Sequence, residues 1–239
     1  MSRPFVSVVT PTYNRRRFLP SLIQCYLSQT YPKDRMEWII LDDGEDCVRD
    51  VFEEAIKKHS IPNVRYIYKD EKHLIGAKRN ILNKEAKGEI LVAMDDDDFY
   101  FPERVAHAVT RLQAAPKVEL AGSSEIFMYY TDIQKIYRLG PYGERHATNG
   151  TMAWRKSYTL THTYDETVTF AEEKSFLDQY RHPMVQLDPK KVMLVISHSE
   201  NTFDKKKLRD TPNPYMKLTD IKLSQFIRDA NLRAFFSKA

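Results

Sequence analysis

The chain opens on a compact apolar, β-rich run at 5–10 that breaks at Pro11-Thr12-Tyr13-Asn14. Leu19, Leu22, Ile23, Tyr26 and Leu27 then recur on one stripe, which predicts a helix over 15–29 with Asn14 as its cap. A second strand at 37–41 ends in Asp42-Asp43-Gly44, a helix at 47–59 follows, and a third strand lies at 64–68. A helix at 76–86 and a fourth strand at 89–94 come next, and Pro102 stands at the first position of a helix running to 114. Strand and helix alternate throughout this stretch, so the fold class is α/β with a mostly parallel central sheet flanked by helices.

From Val118 the rhythm changes. Runs at 118–122, 126–130 and 135–139 read as a meander, followed by a loop with Pro141, Gly143 and Gly150 and a short run at 151–154. A helix at 171–180 and a strand at 192–197 complete the core. The stretch 215–239 is helical in pattern, with Leu218, Ile221, Phe226, Ile227, Ala230 and Phe235 broadly on one side. Docking on the domain is the favoured reading of that tail, and contact with a membrane surface or a partner is the alternative. The chain divides into halves at 1–115 and 116–239 of one continuous domain, the second smaller and mixed.

Composition narrows the picture. At 239 residues, 42% hydrophobic and 29% charged, the chain is an ordinary globular protein with enough length to bury a full core. Its net charge of +4 suits an anionic ligand and is too weak to require nucleic acid. Cys25 falls in the apolar stripe and Cys47 follows an acidic turn, with no metal spacing between them, so a reducing, cytoplasmic setting is expected. The first apolar run is too short for a signal peptide, and no stretch has the length of a transmembrane segment.

The acidic strand ends carry the chemistry. Leu41-Asp42-Asp43-Gly44 and Met94-Asp95-Asp96-Asp97-Asp98 each close a strand on carboxylates, and in a parallel sheet both lie above one crevice with the Thr10–Asn14 loop. Oxygen ligands grouped there suit Mg2+ or Mn2+, which bind through a few carboxylates and substrate phosphates. A calcium EF-hand fails because its glycine and terminal glutamate are missing at their offsets. Turn chemistry before Gly44 is the plain alternative for Asp42 and Asp43, and Asp96 and Asp98 have helix capping or solvent as theirs.

The segment Ser7-Val8-Val9-Thr10-Pro11-Thr12-Tyr13-Asn14-Arg15 resembles the opening of family 2 glycosyltransferases, which have the Rossmann-like GT-A fold. Leu41-Asp42-Asp43-Gly44, Gly76-Ala77-Lys78-Arg79-Asn80, Lys87-Gly88-Glu89 and the D-x-D motif Asp95-Asp96-Asp97 follow in the family's order. The resemblance is close over 5–100 and looser beyond. It implies that Thr10 and Tyr13 line a nucleotide pocket, with Tyr13 against the base and Asp42 accepting from the base edge. It implies further that Asp95 contacts the ribose or the metal's waters and that Asp97 binds the metal. Lys78 and Arg79 either reach the diphosphate or form a plain helix face.

In this family a Glu-Asp pair opening a late helix supplies the base, and the corresponding stretch is Thr169-Phe170-Ala171-Glu172-Glu173. The departure is Glu173 where Asp is usual. Glu173 is the expected base, while Thr169-x-x-Glu172 reads as a capping box. His198, ending the last core strand, is either an additional metal ligand or an ordinary hydrogen-bonding residue. Lys205-Lys206-Lys207 reads as a solvated loop rather than a phosphate clamp, and Trp154 stacks on a sugar or packs in the core. The absence of Gln-x-x-Arg-Trp sets the chain apart from processive synthases.

The expected activity is metal-dependent, inverting transfer of one sugar from a nucleotide-sugar donor, UDP favoured, to a hydroxyl of a carbohydrate or glycosylated acceptor. The rivals are a nucleotidyltransferase making nucleotide sugars, disfavoured by the lack of glycine in the first loop, and a non-catalytic nucleotide- or sugar-binding module.

Overall fold

The computed structural model describes residues 3–201 and 203–239. Four strands form the parallel centre: β1 (Val6–Thr12), β2 (Met36–Asp42), β3 (Val64–Tyr68) and β4 (Ile90–Ala93). β1 pairs with both β2 and β4, so the strand order reverses between β1 and β4. Ligands of open α/β sheets bind at such a switch point, beyond the carboxyl ends of the strands. Every residue of β1 and β2 is buried, as expected of a sheet covered on both faces.

The twofold alternation of the strands sorts the core into two layers. Val6, Val8, Trp38, Ile40 and Val92 pack with α1 (Leu19–Leu27), α2 (Arg49–His59) and, further along, α4 (Arg104–Ala114) on one side. Val9, Ile39, Leu41, Leu91 and Ala93 face α3 (Ile75–Glu85) together with Trp154, Tyr158 and Phe176 on the other. Trp38 stacks on Tyr26 with centroids 4.3 Å apart.

The second half of the chain adds to this sheet and builds another. β6 (Leu120–Gly122), β9 (Ala153–Arg155) and β10 (Met184–Gln186) extend the first sheet in the order β10-β6-β9-β4-β1-β2-β3, with β9 antiparallel to both β4 and β6. The second sheet runs β12-β8-β7-β11-β5, from β5 (Phe99–Tyr100), β7 (Ile126–Tyr130), β8 (Lys135–Leu139), β11 (Met193–Ser197) and β12 (Met216–Leu218). The meander expected at 118–139 is therefore only a β7–β8 hairpin, because β6 belongs to the other sheet.

Several element readings need correction. Asn14 does not cap a helix. It adopts φ 52°, its side-chain oxygen accepts from Asp46 N at 3.2 Å, and a 3-10 turn at Arg16–Phe18 precedes α1. Pro102 lies in the turn before α4 rather than at its first position. The helix expected at 171–180 is a single turn, α5 (Glu173–Phe176), ended by positive φ at Asp178, Gln179 and Tyr180. The tail contains β12 and two short helices, α7 (Leu223–Phe226) and α8 (Ala230–Phe236), after α6 (Lys206–Asp210). Its Phe226, Ile227 and Phe236 are buried, with Phe226 packed on Phe101 and Phe127, which is the docked arrangement. Among the described residues no helix is long and apolar enough to cross a membrane.

Candidate active site

A cavity of about 770 Å³ opens at the β1/β4 switch point, a size typical of small-molecule sites. The β1 loop brings Tyr13 and Arg15 to it, β4 brings Asp95 to Asp98, α3 brings Lys78 and Arg79, and α5 brings Glu172 and Glu173.

The glycine-to-asparagine segment of α3 binds the two halves together. A side chain at Gly76 would lie 2.1 Å from the Asp165 carbonyl oxygen, so only glycine allows this approach of helix and loop. One turn later Asn80 donates to Tyr164 O at 2.9 Å and accepts from Tyr164 N at 2.8 Å. Between them Arg79, buried, donates Nε to Glu172 Oε1 at 2.8 Å and Nη1 to Asp95 Oδ1 at 3.0 Å. Turned to satisfy both neighbours, the Asn149 amide presents its oxygen 2.8 Å from Arg79 Nη1 and its nitrogen 2.7 Å from the Tyr164 hydroxyl. Arg79 thus links the D-x-D strand end to the helix of the expected base. Lys78 bonds to Asp43 and to Thr12 O, the latter at 2.6 Å, and burial lowers its pKa.

Four adjacent carboxylates coexist because each meets different surroundings. Asp95 is paired with Arg79. Asp97 faces His198 Nε2 at 3.1 Å and Asn201 Nδ2 at 3.3 Å; burial opposes its charge, yet the His198 bond and the nearby Lys205 and Arg15 hold it well below the usual carboxylate range. Burial, then the Asp97 charge, pushes Asp96 up to about 7. Asp98 neither caps a helix nor faces water: it accepts from Ile196 N at 2.8 Å and burial raises its pKa well above normal. The Arg15 guanidinium stands 3.9 Å from Asp96, 3.8 Å from Asp97 and 3.6 Å from Glu200.

Glu173 sits half-buried on the same cavity and, among the described residues, has no ion-pair partner, since Arg79 is taken by Glu172. Burial first, and the Glu172 charge second, push its carboxyl up to about 7. That is the pKa a general base needs near neutrality. The capping box expected of Thr169 and Glu172 does not form, because the helix begins at Glu173 with Glu172 itself at the N-cap position and its carboxylate bonded to Arg79.

The donors at this site suit a hard divalent cation: carboxylate oxygens of Asp95 and Asp97 beside the imidazole of His198, whose Nε2 lies 3.1 Å from Asp97 Oδ2. Among the described residues no three His, Cys, Asp or Glu side chains surround a single point. A cation of this type takes its remaining ligands from water and substrate phosphates.

Thr10, Asp42 and Trp154 lie outside the cavity lining. Thr10 is fully buried below the pocket, accepting from Trp38 Nε1 at 3.0 Å and donating to Met94 O at 2.7 Å, so it braces the floor. Asp42 is also fully buried, its oxygens taken by Gly44 N, Val48 N and the Tyr66 hydroxyl. As placed, it offers no face to a base. Trp154 is core, donating to Asn83 Oδ1 at 3.1 Å. Lys205 donates to Ile196 O at 3.0 Å and lines the cavity. No role was expected of Arg15, Asn149 or Asn201; Arg15 closes the segment that resembles the family's opening, which is the one local signal for it.

The profile of Glycosyl transferase family 2 matches residues 7–176. Glycosyltransferase AglE of Haloferax volcanii is 28% identical over 127 residues, covering 53% of this chain and 41% of that protein. The mannosyltransferase PcManGT of Pyrobaculum calidifontis, solved with GDP-Man and Mn2+, superposes with a TM-score of 0.67 at 16% identity, over 90% of this chain and 67% of that one. TarS 1-349 of S. aureus, solved with UDP-GlcNAc, gives 0.65 at 17% identity, over 82% and 60%. The structural likenesses establish the GT-A fold, and the matched stretch spans less than half of AglE. With the profile covering most of the sequence, the chain belongs to glycosyl transferase family 2.

Proposed function

We propose that this chain transfers a single sugar from a nucleoside-diphosphate sugar to an acceptor hydroxyl with inversion, using Glu173 as general base. The observation that carries the reading is the Glu173 carboxyl, raised to about 7 and lining the same cavity as the D-x-D carboxylates. Glu173 takes the acceptor proton as the oxygen attacks the anomeric carbon, and direct displacement of the nucleotide inverts that centre. Arg79 fixes Asp95 and Glu172, and so the approach of donor and base. Tyr13, flanked by the Lys72 ammonium 4.2 Å from its ring centroid, offers a face for the base.

Asp97 and His198 would hold Mn2+ or Mg2+. When bound, the ion neutralises charge on the departing diphosphate. UDP is the favoured leaving group, a preference supported by Tyr13 and by the UDP-GlcNAc complex of TarS. The free cysteines Cys25 and Cys47 support a reducing, cytoplasmic setting.

Calorimetric titration with UDP, GDP and dTDP, in Mn2+ and in EDTA, tests this. One nucleotide should bind with Mn2+ and lose at least tenfold in affinity, about 1.4 kcal/mol, in EDTA or in Asp97→Ala. Absence of binding by every nucleotide would remove the proposal.

A further inference from the structure

The cavity has two chemically opposite walls. One carries the carboxylates, Lys78 and Arg79. The other is a face of the second sheet. In register, Leu139 lies beside Ile126 on β7, and Met128, two residues on, pairs with Val195 on β11; Met193 is two residues before Val195 on the same strand. These five side chains share one face by the twofold alternation of strands, and all five line the cavity. The opposite face of the same sheet is packed by the tail, with Phe127 against Phe226.

This aliphatic wall begins at the reacting centre. A side chain added at Gly150 would meet Met193 at 3.0 Å and Asp95 Oδ2 at 3.3 Å, so the two are neighbours across the glycine. At the mouth Phe170 and Phe203 are 65% and 43% exposed with ring centroids 6.3 Å apart. They come from the loops that precede Glu173 and follow Asn201.

A nucleotide sugar is charged and hydroxylated, and hydroxyls pressed on the aliphatic wall would lose water without gaining a partner. Two of the five are methionines, which adapt to irregular apolar shapes. We infer that the acceptor is an amphiphile: its hydroxyl reaches Glu173 while an aliphatic portion lies on the β7–β11 face and leaves between Phe170 and Phe203. The inference rests on the transferase reading of this site and names its acceptor class.

The test compares methyl and n-octyl β-glucoside, the latter below its micelle concentration, by ligand-observed NMR with UDP and Mn2+ present. The octyl compound should bind at least tenfold more tightly, the gain from burying about two methylenes. Phe170→Ser with Phe203→Ser, both at exposed positions, and Val195→Thr should each reduce that preference without weakening methyl glucoside. Equal affinities in the unaltered protein, or a preference that neither variant changes, overturn the inference. UDP and GDP binding is read in the same samples. Its loss with the octyl preference intact overturns the transferase reading and leaves an apolar ligand site, whereas nucleotide binding without the preference removes only the amphiphilic acceptor.

Discussion

Arg79 Nε and Glu172 Oε1 are 2.8 Å apart, a buried ion pair that joins a helix of the first half to the short helix bearing Glu173. Removing one partner of such a pair leaves an uncompensated charge. Arg79→Met should lower unfolding free energy by about 3–5 kcal/mol in urea titrations. Arg79→Lys, which keeps the charge but not the fork of donors, should fall between the two. Equal stability of all three proteins would show that the pair is dispensable.

Turnover should depend on the ionised form of Glu173. With its carboxyl raised to about 7, activity is expected to fall as pH drops through that value. Glu172→Gln removes a charge that raises Glu173, so the acid limb should move to lower pH. Glu173→Gln should lose roughly 10²–10⁴ in kcat with nucleotide affinity kept. Initial rates across pH 5–9, on the order of one pH unit apart, decide this.

The same shift has a stability consequence of definite sign. The folded protein holds the Glu173 proton more tightly than the unfolded chain, so this group's contribution declines as pH rises from about 4.5 to about 7. Glu173→Gln should flatten that part of the stability-against-pH curve and be the more stable protein above it. Thermal melts at several pH values measure the difference.

Arg15 stands within 3.9 Å of both Asp96 and Asp97 and competes with any cation drawn to them. Arg15→Gln should bind Mn2+ alone a few-fold more tightly, about 1 kcal/mol for a partly exposed pair. Electron paramagnetic resonance of free Mn2+ reads this without substrate. Weaker Mn2+ binding in the variant would mean that Arg15 organises the carboxylates rather than competing.

Gly76→Ala places a methyl group 2.1 Å from the Asp165 carbonyl oxygen, a contact that backbone must move to relieve. A loss of about 1–3 kcal/mol is expected, as for overpacked cores. Because the displaced loop leads to Glu172 and Glu173, turnover should drop with it. Unchanged stability would require that the 164–166 loop is free to retreat.

The parallel centre was legible because a sheet buried on both faces leaves long apolar runs, and the turns after β1, β2 and β4 carry their own polar signatures. The acidic strand ends were legible for the same reason, since carboxylates gather where the strand pattern stops; Glu173 opens a short helix and was reached only through the family resemblance. Sheet membership in the second half was not, since β6 and β7 are equally apolar and only tertiary pairing separates them. Asp42 and Thr10 show the other limit. A polar residue at a strand end reads alike whether it faces a ligand or, as here, satisfies Val48 N or Trp38 Nε1. Arg79 was noted as a phosphate or surface group, and its partner Glu172 lies too far along the chain for local pattern to pair them.

β9 comes from the second half yet hydrogen-bonds between β4 and β6 in the middle of the first sheet. Pulling the halves apart would open a sheet interior and expose Trp154 and Leu91 together. The two halves therefore cannot swing as hinged bodies, and the polypeptide should melt in one cooperative step. Closure over a substrate is left to the loops at the cavity mouth, and a nick near residue 115 should release no fragment able to hold its shape.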